Sequence, residues 1–206
     1  MDIEEKIGLL EARIVELEDR EAIRDVMHRY CRAVDRADTE LLMSCYWEDG
    51  LDDHGFFSGN AHEFAKFLTP LLRVTNSTTH SVTNPLIELD GDRAYTECQV
   101  DVIHRLADED SQVSEWGQCR YIDVFEKRNN EWRIYVRIPI SDGINYIKLD
   151  METVAIRSKG RENSLIKGAR YPDDPVYSVR NVKDMVRELE STKDFWSSLK
   201  AVKDAL

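Results

Sequence analysis

Between residues 79 and 141 the chain is written almost entirely in two-residue steps. The runs 79–89, 93–106, 112–127 and 131–141 alternate apolar and polar side chains, as half-buried strands do. Asp90-Gly91-Asp92 and Arg128-Asn129-Asn130 supply hairpin turns, and Ala107 to Ser111 a longer polar loop. Before residue 74 the apolar residues instead recur every three or four positions. Helices followed by a run of antiparallel strands specify an α+β fold.

The helical part carries two different stripes. Ile3, Ile7, Leu10, Ile14 and Leu17 form a short heptad pattern, whereas Ile23, Val26, Met27, Tyr30 and Val34 lie far around the helix from it. One face cannot serve both. Residues 2–18 are therefore expected to pack on something other than this domain's core, such as a second subunit, or else to wrap their own body. Asp38 reads as the N-cap of a helix from Glu40 to Trp47, and Glu48-Asp49-Gly50 turns the chain into a strand from Leu51 to Phe57. Asn60 and Glu63 form a capping box for a third helix, Ala61 to Leu72, bent or ended by Pro70. Ser158 to Pro175 is rich in turn formers, and Val182 to Leu206 returns to helical spacing. Residues 1–150 read as one domain and 151–206 as an extension packing on it or on a neighbouring subunit.

Composition excludes several partners. A net charge of -12 disfavours nucleic acid and anionic membranes. No apolar run reaches the roughly 18 residues of a membrane span. Met1 to Lys6 is acidic and helical, unlike a signal peptide, so the expected location is the cytoplasm. Cys31, Cys45, Cys98 and Cys119 lack disulfide or metal-ligand spacing and read as reduced core thiols. No metal or cofactor is expected.

Two segments bear residues suited to acid–base chemistry. On the strand 93–106 one face reads Ala94, Thr96, Cys98, Val100, Val102, His104, which places His104 at the end of an interior line, where it needs a partner. His80 shares a face with Val82 and Asn84. Asp35 lies at the border of the apolar arc beside Cys31, where it either caps the helix or reaches inward to hold a cation. A histidine held by a buried carboxylate is a general base near neutral pH. On the last strand Arg137 alternates with Trp132, Ile134, Val136 and Ile138, so a solvated or ion-paired arginine is the default and a cavity-facing one the alternative. His28 and His62 sit on helix surfaces.

Four stretches resemble the SnoaL-like family of the nuclear transport factor 2-like superfamily. They are Arg29-Tyr30-Cys31-Arg32-Ala33-Val34-Asp35; Cys45-Tyr46-Trp47-Glu48-Asp49-Gly50-Leu51-Asp52-Asp53-His54-Gly55; Thr79-His80-Ser81-Val82-Thr83-Asn84; and Arg120 to Arg128 running into Glu131-Trp132-Arg133-Ile134. The tyrosine, aspartate and histidine are similar to those of its scytalone dehydratase, bile acid 7α-dehydratase and hexachlorocyclohexane dehydrochlorinase members. The resemblance implies a cone, in which a curved antiparallel sheet wraps three N-terminal helices around an apolar cavity, here with a C-terminal helical extension. His80, Asp35, Tyr30 and His104 would be catalytic. His54, Trp47, Cys98, Val100 and Arg137 would contact a small apolar, cyclic or polyketide-like substrate. The implied activity is a cofactor-independent lyase of the dehydratase type in a homo-oligomer, dimer or trimer. A ketosteroid-isomerase-like isomerase or cyclase, and a non-catalytic β-subunit of a ring-hydroxylating dioxygenase, remain alternatives. Two departures stand out: Asp52-Asp53-His54 replaces a pocket tyrosine, and Asp142-Gly143 ends the last strand without a tryptophan.

Overall fold

The computed structural model describes residues 1–106, 113–148 and 168–177. One helix, α1 (Ile3–Arg36), carries both stripes. Asp2 caps it: its carboxylate accepts the Glu5 backbone N–H at 2.8 Å while the Asp2 N–H donates to the Glu5 carboxylate at 2.9 Å. Residues 1–18 are exposed throughout, so the heptad half of α1 stands clear of the described body. Ile23, Val26, Met27, Tyr30, Ala33 and Val34 are buried.

Ala37 ends α1 in the left-handed conformation (φ 51°), and Asp38 caps α2 (Thr39–Ser44) through the Leu41 N–H. The helix expected to reach Trp47 stops at Ser44. The cause is tertiary: the Cys45 carbonyl accepts the Ile134 N–H at 2.9 Å and draws the chain into the sheet as β1 (Tyr46–Asp53). The expected turn at Glu48-Asp49-Gly50 is therefore a bowed stretch inside that strand, where Tyr46 faces Ile134 but Leu51 faces Val136. Gly50 permits the bow, because a Cβ there would meet the Trp47 carbonyl at 2.9 Å. After β2 (Ser58–Asn60), Asn60 caps α3 (Ala61–Val74), which continues through Pro70.

Four long strands follow: β3 (Ser77–Asp90), β4 (Arg93–Leu106), β5 (Val113–Arg128) and β6 (Glu131–Lys148). The sheet order is β2-β1-β6-β5-β4-β3, open at both edges rather than closed into a barrel. β3 to β6 form the antiparallel meander read from the alternation, but β1 joins β6 in parallel. β1 is reached from the helices and not through a hairpin, so no tight turn dictates its direction.

Among the register shifts, one in β3 and one in β6 decide which core and site side chains point inward. In β3 the register slips between Thr83 and Leu86, at Asn84 (φ 52°) and Pro85. The inward line changes from Thr78, His80 and Val82 to Ile87 and Leu89. In β6, Ile134 faces Phe125 and Val136 faces Val124, so Tyr135 is the extra residue and the inward line passes from Ile134 to Arg137. The core packs the buried stripe of α1 against Cys98, Val100, Tyr121, Phe125, Trp132 and Ile134.

Residues 168–177 dock on the ends of α1 and α3. Asp174 accepts from the Ala169 N–H at 2.7 Å and from Arg36 at 3.3 Å, and the Tyr177 hydroxyl donates to Asp38 at 2.9 Å. The helical spacing from Val182 to Leu206 and the loop at 107–112 lie outside the described residues. Among the described residues no helix is long and apolar enough to cross a membrane.

Candidate active site

Asp35 sits on the last turn of α1 and His80 on β3, forty-five residues later. The Asp35 carboxylate takes both donors that His80 offers it: Oδ2 accepts the backbone N–H at 3.0 Å, and Oδ1 meets ring Nδ1 at 2.7 Å. Two points of attachment fix the imidazole in position and tautomer. With Nδ1–H donating to the carboxylate, the lone pair is left on Nε2. Among the described residues nothing bonds that nitrogen. The two side chains retain only 7% and 11% of their exposure, enough to reach the cleft beside them.

The strap at 168–177 locks this pair from behind. The Arg170 guanidinium donates to the Asp35 carbonyl oxygen, to Thr78 Oγ1 at 2.9 Å and to Thr75 Oγ1 at 2.8 Å. It thereby ties the end of α1 to the start of β3. The Cys31 thiol next to the pair is pushed up to about 12, chiefly by burial, so it stays protonated and is no nucleophile. His80 and Asp35 open on a cleft of about 360 Å³ whose walls include His28, Cys31, Arg32, Val82 and Val176. Arg32 and Arg36 give this opening a charged rim, unlike the closed apolar cup that the resemblance implies.

His104 stands beside the pair, with ring centroids 5.8 Å apart, and its Nδ1 meets Glu115 at 3.3 Å. Burial lowers its pKa below the ordinary 6.5, the His80 ring adds to this, and Glu115 opposes it. The unfolded chain therefore takes up this proton first as pH falls. The stability contribution is constant above about 6.5 and is lost as pH drops through that value toward the lower folded pKa. His104→Gln should flatten the decline of melting temperature between pH 7.5 and 5.5 relative to the parent; parallel curves would refute the assignment.

Other expected residues gather elsewhere. The Tyr30 hydroxyl meets His54 Nε2 at 3.5 Å rather than either member of the pair. His54 Nδ1 contacts Asp52, which also accepts the Tyr46 hydroxyl at 2.5 Å. Arg137 is wholly buried, makes a bidentate pair with Asp123 at 2.7 Å per bond, and lies 4.0 and 4.1 Å from the ring centres of Tyr30 and Tyr121. The aromatic faces complement the charge of this guanidinium, whose Nη1 has no hydrogen-bond acceptor among the described residues. Burial opposes the charge on Arg137, yet Asp123 holds its pKa well above the usual value. Cys98 and Val100 are buried in the core, and Trp47 packs against Arg128 and Arg133 while donating to the Glu126 carbonyl.

Sequence reasoning missed Arg170, Asp52, Asp123 and the rim arginines. Asp123 had a signal: it interrupts the inward line Tyr121, Asp123, Phe125, and a charge there demands a partner. Arg170 had none, since nothing local announces a contact with a carbonyl 135 residues away.

A SnoaL-like domain model matches residues 15–138. A type 2 hexachlorocyclohexane dehydrochlorinase (LinA) superimposes with a TM-score of 0.60 at 21% identity, covering 66% of this chain and 93% of that one. A putative scytalone dehydratase from Novosphingobium aromaticivorans gives 0.58 at 20% identity, covering 67% and 93%. A protein of unknown function with a cystatin-like fold, from Nostoc punctiforme, gives 0.51 at 20% identity, covering 60% and 91%. At these identities the structures share the fold. Comparison with curated proteins returns no match. With its family model spanning more than half of the sequence, on a helix-and-open-sheet frame that these structures share, the chain belongs to the SnoaL-like domain family.

Proposed function

We propose that the protein is a cofactor-independent lyase that removes water or a halide from a small, largely apolar, ring-bearing substrate. The observation that carries this reading is the double attachment of His80 to Asp35, which leaves Nε2 without a hydrogen-bond partner among the described residues, beside an open cleft. Nε2 takes a proton from carbon next to a carbonyl or beside the carbon bearing the leaving group. The C–H electrons become the new C=C bond, and the leaving group departs with its own electron pair. Asp35 stabilises the imidazolium so formed. A departing hydroxyl takes back the proton held by the His80 imidazolium and leaves as water, whereas a halide leaves as the anion. Tyr30, His54 and Arg137 are assigned to the packed interior behind the pair, and Trp47, Cys98 and Val100 make no substrate contact in this reading.

The test is turnover in D2O with cyclic β-hydroxy ketones and polychlorinated cyclohexanes, read by NMR and mass spectrometry. Loss of water or chloride is the expected result. Deuterium exchange at carbon without loss of a group marks an isomerase using the same base. Neither elimination nor exchange, with His80→Ala indistinguishable from the parent, would overturn the proposal.

A further inference from the structure

The first half of α1 is an exposed stripe, and its charges say what covers it. Ile3, Ile7, Leu10, Ile14 and Leu17 are 74%, 50%, 58%, 53% and 66% exposed. In heptad terms Ile7 and Ile14 occupy the a positions, and Ile3, Leu10 and Leu17 the d positions. β-Branched residues at a with leucine at d favour two parallel strands. The flanking positions are sorted by sign: all three e positions are acidic (Glu4, Glu11, Glu18) and all three g positions basic (Lys6, Arg13, Arg20). In a parallel pair each g residue faces the e residue five positions on in the other chain. Lys6 then meets Glu11 of a second copy, and Arg13 meets Glu18, twice each by symmetry. An antiparallel pair would instead set like charges together along both flanks.

We propose that residues 3–20 form a parallel two-stranded coiled coil with a second copy of this chain. Such a short coil would be marginal as a free peptide. Here residues 23–36 are already fixed in the core, so the exposed half extends a helix that has its nucleus. The stripe also ends where the body begins. Asp19 accepts from Lys127 at 2.7 Å and from Trp132 at 2.8 Å, Arg20 donates to the Ile87 carbonyl at 2.6 Å, and the next seam positions are the polar Glu21 and Arg24.

The full-length chain should sediment as a dimer, and Ile7→Asp/Ile14→Asp should make it monomeric with the melting temperature of the body unchanged. A gentler variant, Lys6→Glu/Arg13→Glu, turns four attractive contacts repulsive and should weaken the dimer about tenfold or more. Adding Glu11→Lys/Glu18→Lys should restore it. Leu10→Cys should cross-link between chains under mild oxidation, since only parallel strands in register bring the two d positions together. A monomeric parent, including one whose segment 182–206 covers the stripe, overturns the proposal. So does a trimer, a dimer that survives the aspartates, indifference to charge reversal, or absence of the cross-link.

Discussion

His80→Ala lowers turnover by roughly 10²–10⁴-fold, the range associated with losing a positioned proton-transfer group, while far-UV circular dichroism and melting temperature stay near the parent's. Asp35→Asn produces a loss of similar order by a different route. The amide oxygen can still accept the His80 backbone N–H, so β3 stays attached, but the negative charge that favours the imidazolium is gone. The two variants should be non-additive, because both remove the same proton transfer. Steady-state kinetics on the substrate found by the elimination assay is the check. Full activity in both single variants would exclude the pair from the chemistry, whatever reaction the protein performs.

Asp123→Ala is expected to be the most damaging change to the fold. It strands the Arg137 charge in a site where both partners have no exposure at all. Breaking a buried pair from one side costs about 3–5 kcal/mol, a fall in melting temperature of roughly 6–20 °C for a domain of this size. The guanidinium cannot escape by losing its proton, and the rings of Tyr30 and Tyr121 against its faces cannot replace two charge-assisted hydrogen bonds. Removing both charges together, as Asp123→Leu/Arg137→Met, should recover most of the loss. A single variant that melts within about 2 °C of the parent would mean the ion pair contributes nothing, contrary to the usual cost of an uncompensated buried charge.

The long strands, the caps at Asp38 and Asn60 and the two stripes of α1 were legible because each rests on spacing within one segment. Asp35 and His80 were legible as candidates, and their meeting was implied only by the family resemblance. What escaped the reading came from contacts between segments. The end of α2 is set by a hydrogen bond to Ile134, and the parallel entry of β1 by the path of the helices before it. Arg137 was read from the alternation as solvated or ion-paired by default; it is ion-paired but wholly buried, because the alternation breaks at Tyr135. His54 and Tyr30 were expected near the pair, but Asp52 at the end of β1 draws them into a network of their own.

The surplus residue at 135 lets β6 keep both Ile134 and Arg137 on the inside although they stand three positions apart. Deleting Tyr135 would close the bulge and leave Arg137 two positions after Ile134, still facing inward and still opposite Asp123. The side on which the guanidinium lies is thus set by its ladder partner Asp123, and the surplus residue is dispensable to it.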